Sequence, residues 1–95
     1  MKSKKEVKYR EMTKNEELIC VNLGNVRYGT GASFDKRLGN NLSAQANGVK
    51  LISEKQVYWM YKLLFKYRRQ LPNLYQANQD NPLCTRIKNK EVTNE

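Results

Sequence analysis

The chain has 95 residues and a mass of 11.2 kDa, enough for one small core and too little for two domains, which excludes multidomain enzymes. Hydrophobic residues make up 39% and charged residues 28%, a globular composition rather than a disordered or fibrous one. Eighteen Lys and Arg against nine Asp and Glu give a net charge of +9, which points to polyanionic partners.

Residues 1–12 open the chain with five basic side chains and one acid in the first ten positions. They read as a flexible basic arm. No apolar signal core follows, and no apolar run approaches the roughly 18 residues of a membrane span. A cytoplasmic protein with no membrane partner is expected.

Thr13 to Glu16 (TKNE) matches a capping box, in which a Thr hydroxyl and a Glu three residues on satisfy exposed backbone donors at a helix start. A short helix should follow, with Leu18, Ile19, Val21 and Leu23 on its apolar side and Gly24 as a left-handed C-terminal cap. The competing reading is a hairpin turning at Gly24-Asn25. Val26 to Gly31 is an extended connector, and Ser33 caps a second helix of roughly four turns in which Phe34, Leu38, Leu42 and Ala46 recur at helical spacing. Gly39 either weakens that helix or permits close packing. Asn47-Gly48 ends it.

Ser53 to Gln56 (SEKQ) is a second capping box, with Ile52 positioned to staple onto Val57. From Val57, residues Met60, Tyr61, Leu64, Tyr67 and Leu71 repeat at three- and four-residue steps, and Pro72 stops the helix after Leu71. Residues 13–72 therefore form the folded unit, an all-α bundle of two to three helices. Its core would be Leu18, Val21, Phe34, Leu38, Leu42, Val57, Met60, Tyr61 and Leu64. Residues 73–95, rich in Asn and Gln and without sustained periodicity, read as a mobile polar tail in which Arg86, Lys88 and Lys90 can add electrostatic contacts.

The chemistry available is narrow. With no histidine and only Cys20 and Cys84, a four-ligand zinc site, a Ser-His-Asp triad and a Cys-His pair are all excluded. Two free thiols, Cys20 a core residue, are the better reading than a disulfide. Each acid near the proposed fold, Glu16, Glu17, Asp35 and Glu54, has a capping or helix-end role. No enzyme and no cofactor are expected.

On a helical wheel, Lys55, Lys62, Lys66 and Arg69 fall within about 40 degrees of one another's line, and Trp59 lies inside that stripe. A lone tryptophan among cations suits single-stranded nucleic acid, whose bases stack on the ring while phosphates meet the cations. Packing of Trp59 against another helix or the arm is the competing structural role. Arg68 leans to the apolar side and should pair with Asp35 or a backbone carbonyl.

Val26-Arg27-Tyr28, Ser33-Phe34-Asp35-Lys36-Arg37, Leu42, Gln45, the LISEKQ segment from Leu51 and the KYRRQL segment from Lys66 together resemble a small helical module of phage and mobile-element proteins. The resemblance spans residues 18–72. Such modules occur alone or beside phage helicases and other replication proteins, so the resemblance implies nucleic-acid metabolism and a helicase or host protein partner. It carries over no catalytic residue, and the helicase phosphate-binding loop G-x-x-x-x-G-K-S/T is absent. The leading expectation is a non-catalytic accessory protein holding single-stranded DNA or RNA in replication or repair. A protein-interaction module with Trp59, Tyr58 and Tyr61 as its hot spot is the alternative. Duplex reading by the second and third helices is a further one.

Overall fold

The computed structural model describes residues 8–93. In chain order these form strand β1 (Tyr9–Glu11), helices α1 (Lys14–Leu23) and α2 (Ser33–Asn47), strand β2 (Leu51–Ser53), and helices α3 (Glu54–Lys66), α4 (Pro72–Asn78) and α5 (Pro82–Thr93). The expected mostly helical fold is present, with five helices among the described residues rather than two or three.

Helix α1 starts at its capping box: the Glu16 amide donates to Thr13 Oγ1 at 3.1 Å and the Thr13 amide to Glu16 Oε1 at 3.0 Å. The hairpin alternative is thereby set aside. Gly24 ends α1 in right-handed backbone, φ −70° and ψ −16°, instead of the left-handed cap expected. Ile19, Cys20 and Leu23 are fully buried, whereas Leu18 is 52% exposed. At 100 degrees per residue Leu18 points about 150 degrees from the mean direction of the buried positions, so it cannot share their face.

The same geometry corrects Phe34. The buried residues of α2 are Asp35, Gly39, Leu42 and Ala46, whose mean direction lies about 110 degrees from Phe34. An i, i+4 row winds slowly around the helix, so the Phe34, Leu38, Leu42 row passes from exposed through half-buried to fully buried. Ala32, not Ser33, is the N-cap, and it makes no side-chain cap bond. Gly39 permits close packing: a Cβ there would collide with the Tyr28 hydroxyl and crowd the Leu23 carbonyl oxygen. The Tyr28 hydroxyl in turn donates to that carbonyl at 2.6 Å.

The basic arm is only partly an arm. Its residues 1–7 lie outside the described residues, but Tyr9–Glu11 pairs antiparallel with β2 in the register Tyr9↔Ser53, Arg10↔Ile52, Glu11↔Leu51. Arg10 sends a two-pronged bond into Glu16, Nη1 to Oε1 at 2.9 Å and Nη2 to Oε2 at 2.7 Å. Burial alone would raise the Glu16 carboxyl, yet the Arg10 fork and the Thr13 donors hold it below its ordinary value. A cation expected to await a polyanion is committed to the fold.

Helix α3 is the centre of the molecule. Its capping box forms as expected, Gln56 amide to Ser53 Oγ at 3.2 Å and Ser53 amide to Gln56 Oε1 at 3.0 Å. Gln56 also pairs side chain to side chain with Gln45 of α2, at 2.7 Å from its Nε2. Met60, Leu63 and Leu64 are buried against α1, α2 and α5. The helix ends at Lys66, before the expected stop at Leu71.

Pro72 begins α4 instead of closing α3, because proline is preorganised for the first helical position, where no amide donor is required. The expected mobile tail is folded through residue 93. Cys84 and Ile87 of α5 are 1% and 2% exposed, completing a core the polar composition had concealed. Asn15 Nδ2 donates to the buried Asn78 Oδ1 at 2.6 Å, tying α4 to α1. Asn81 caps α5 by accepting from the Leu83 amide at 2.9 Å and donates to the Tyr61 hydroxyl at 3.3 Å. Both cysteines are free and buried, and burial pushes the Cys20 thiol up to about 12, so it stays protonated and inert.

Candidate nucleic-acid interface

Helix α3 projects Lys55, Trp59, Lys62 and Lys66 at steps of four, three and four residues, the spacing that keeps side chains on one face. Lys55 is exposed and Trp59 half-buried. The Lys62 ammonium stands 5.1 Å from the Trp59 ring centroid and 5.9 Å from that of Tyr58, a cation held over two rings. The Trp59 ring makes edge contacts with Phe34 at 5.5 Å and with Tyr58 at 5.9 Å.

Phe34 joins this face because α2 delivers it there on the side turned from its own core. It is 58% exposed. Arg37, about 60 degrees from Phe34 around α2, is also exposed, whereas Lys36 points to the other side of the helix. On the other flank, Arg86 and Lys90 of α5 share a small depression with Tyr58 and Ile87. Rings and cations from three helices thus meet around α3.

Lys66 keeps its place on the stripe but is engaged by the fold, and Arg69 departs from the stripe. Lys66 Nζ is bonded to Asp35 Oδ2 at 2.7 Å, although its side chain remains 60% exposed. Burial tends to raise Asp35, but the bonds from Lys66 and from the Tyr67 hydroxyl, at 2.8 Å, keep it below its ordinary value. Tyr67 is pushed up to about 12 by burial and by donating to that carboxylate. Arg69 lies beyond the end of α3, so the helical wheel does not apply to it. It instead borders a depression of about 380 Å³ with Lys66, Tyr67, Arg68 and Gln70. Arg68, also beyond the end of α3 and exposed, donates to the Phe65 carbonyl at 2.8 Å and stacks 4.2 Å over the Phe65 ring; of the two partners expected for it, Asp35 or a backbone carbonyl, it takes the carbonyl.

Compared with known proteins, the chain matches no family model, no curated protein and no solved structure.

The motif segments quoted above interlock. Gln70 closes a two-bond clamp on the Arg27 backbone, 2.9 Å each way. Tyr28 and Tyr67 meet edge to face at 5.0 Å, Asp35 holds Lys66 and Tyr67, and Gln45 holds Gln56. These residues explain the fold. Phe34, Lys36, Arg37, Lys55 and Arg69 are exposed within the same segments and take no part in that interlocking. Of the aromatic trio expected at a protein hot spot, Tyr58 and Trp59 are on this face while Tyr61 is buried in the core; sequence reasoning missed Phe34, and its angular offset from the buried side of α2 was the signal that would have found it. Among the described residues no cluster of three or more His, Cys, Asp or Glu could hold a metal, and no helix is long and apolar enough to cross a membrane.

Proposed function

We propose that this chain is a non-catalytic nucleic-acid-binding accessory protein that holds single-stranded DNA or RNA on the face of α3, in a replication or repair setting related to phage or mobile elements. The observation that carries this reading is the Lys62 ammonium poised 5.1 Å over the Trp59 ring, with the exposed Phe34 ring 5.5 Å from the same indole. Single strands need flat apolar faces for bases and cations at phosphate distance, and both are supplied here side by side. Lys62 uses its ring contact without consuming its N–H donors, so it can still meet a phosphate. Lys55 lies one turn away, and the net charge of +9 draws polyanions from a distance. Lys66 contributes field more than contact while Asp35 holds it.

The test is fluorescence anisotropy of labelled single-stranded DNA, single-stranded RNA and duplex, each titrated at low and moderate salt. Single strands should bind more tightly than duplex, and log affinity should fall with log salt by about 0.7 per phosphate neutralised. Lys55→Glu/Lys62→Glu should abolish binding, and a thermal melt of the variant shows whether the fold is kept, since the Lys62 charge also helps to hold the Asp35 carboxyl low. Lys66→Glu is a poorer choice because it sets a second carboxylate beside Asp35. No anisotropy change with any nucleic acid at low salt would overturn the reading. Capture of a helicase or host protein that survives nuclease would then assign the face to a protein.

A further inference from the structure

We infer that the ring on which a nucleobase stacks is Phe34 of α2, with Trp59 serving as its support; this deepens the proposed function and rests on it. Stacking requires a free π face. Trp59 is half-buried, carries the Lys62 ammonium 5.1 Å from its centroid, and is wedged between Phe34 and Tyr58, whose planes stand at 69° and 80° to its own. Its surroundings are already occupied on three sides.

Phe34 has the opposite character. It is 58% exposed, more than Tyr9 at 54% or Leu18 at 52%, and unlike the still more exposed Val49 it offers a ring. A large apolar side chain left in water next to a cation and an indole gains little for the fold, since its removal from α2 would uncover no core. A base laid on Phe34 would bury that ring. It would also bring the adjoining phosphate toward Lys62, which the Trp59 and Tyr58 rings hold in place, or toward the exposed Arg37, which lies about 60 degrees from Phe34 around α2. Asp35, the one acid beside it in sequence, is turned away: it is 8% exposed and bonded to Lys66 and Tyr67. Like charge therefore does not face the strand.

The test uses the full chain and a thymidine oligonucleotide. Ultraviolet crosslinking followed by tryptic digestion separates the two rings, because Phe34 falls in the peptide of residues 28–36 and Trp59 in that of residues 56–62. The crosslink should appear on residues 28–36. Phe34→Ala and Phe34→Leu should each weaken single-strand binding about five-fold or more, while Phe34→Trp keeps it. The thermal midpoint should stay near that of the parent, so a loss of affinity cannot be a loss of fold. Parent-like affinity of Phe34→Ala, or a crosslink confined to residues 56–62, would overturn this inference while Lys55→Glu/Lys62→Glu still loses binding and the wider reading stands. Absence of binding by the parent chain would overturn both.

Discussion

Asp35 shows how one residue can fix two elements and divide the labour among cations. Its carboxylate accepts from Lys66 Nζ and the Tyr67 hydroxyl, joining the first turn of α2 to the end of α3, and it withdraws Lys66 from the outward-facing set. The native carboxyls of Asp35 and Glu16 sit below their ordinary values, so between pH 3 and 5 the unfolded chain binds more protons than the folded one. Stability should therefore be complete above about pH 5 and fall as pH drops through the native values of these two groups. Thermal melts from pH 7 to 3 should show this decline, and Asp35→Asn should reduce it by removing one of the two contributions. A melt midpoint independent of pH over that interval would contradict the assignment. Gly39 makes a second prediction. Because its missing Cβ leaves room for Tyr28, Gly39→Ala should cost about 1 to 3 kcal/mol. Gly39→Ala/Tyr28→Phe should recover part of this, since the hydroxyl is the nearest atom in the way.

At the level of elements, α5 and α2 carry the contrast between what composition suggests and what packing requires. Ile87 is 2% exposed on a helix that the Asn- and Gln-rich sequence made look like tail, whereas Phe34 and Leu18 are exposed on helices whose spacing made them look like core. Ile87→Ala should accordingly cost about 2 to 5 kcal/mol, Phe34→Ala, which loses its edge contact with Trp59, about 1, and Leu18→Ala about 0.5 or less. Denaturant unfolding of the three variants checks the order; a large loss for Phe34→Ala beside a small one for Ile87→Ala would reverse it. Both capping boxes were legible because their chemistry is local, a hydroxyl and a carboxylate or amide three residues apart. The α3 core positions Val57, Met60, Tyr61 and Leu64 were legible for the same reason of short-range periodicity. Pro72 and Asn81-Pro82 were also readable as helix starts, since proline suits the first turn as well as it ends a helix. What could not be read locally is the pairing of β1 with β2, in which Tyr9 meets Ser53 across most of the domain, and the packing of α5 on α3. Those contacts depend on chain segments far apart in sequence.

For the molecule as a whole, the structure uses several of its cations internally and leaves a selected group outside. Arg10 is taken by Glu16, Lys50 by Glu17 at 3.4 Å, Lys66 by Asp35, and Arg68 by the Phe65 ring and carbonyl. Of the stripe expected from the wheel, Lys55, Trp59 and Lys62 stay together on α3, Lys66 is shared with the fold, and Arg69 belongs to the turn beyond it. The candidate face is thus shorter along α3 and broader across the domain, from Phe34 to Arg86 and Lys90. The lone tryptophan reports from its centre. Its emission during titration with unlabelled oligonucleotides is the most direct measurement: single strands should change it, less so as salt rises, and the change should vanish in Lys55→Glu/Lys62→Glu. Unchanged emission together with no measurable binding at low salt would contradict the account and leave the basic face as a solvated or protein-binding surface.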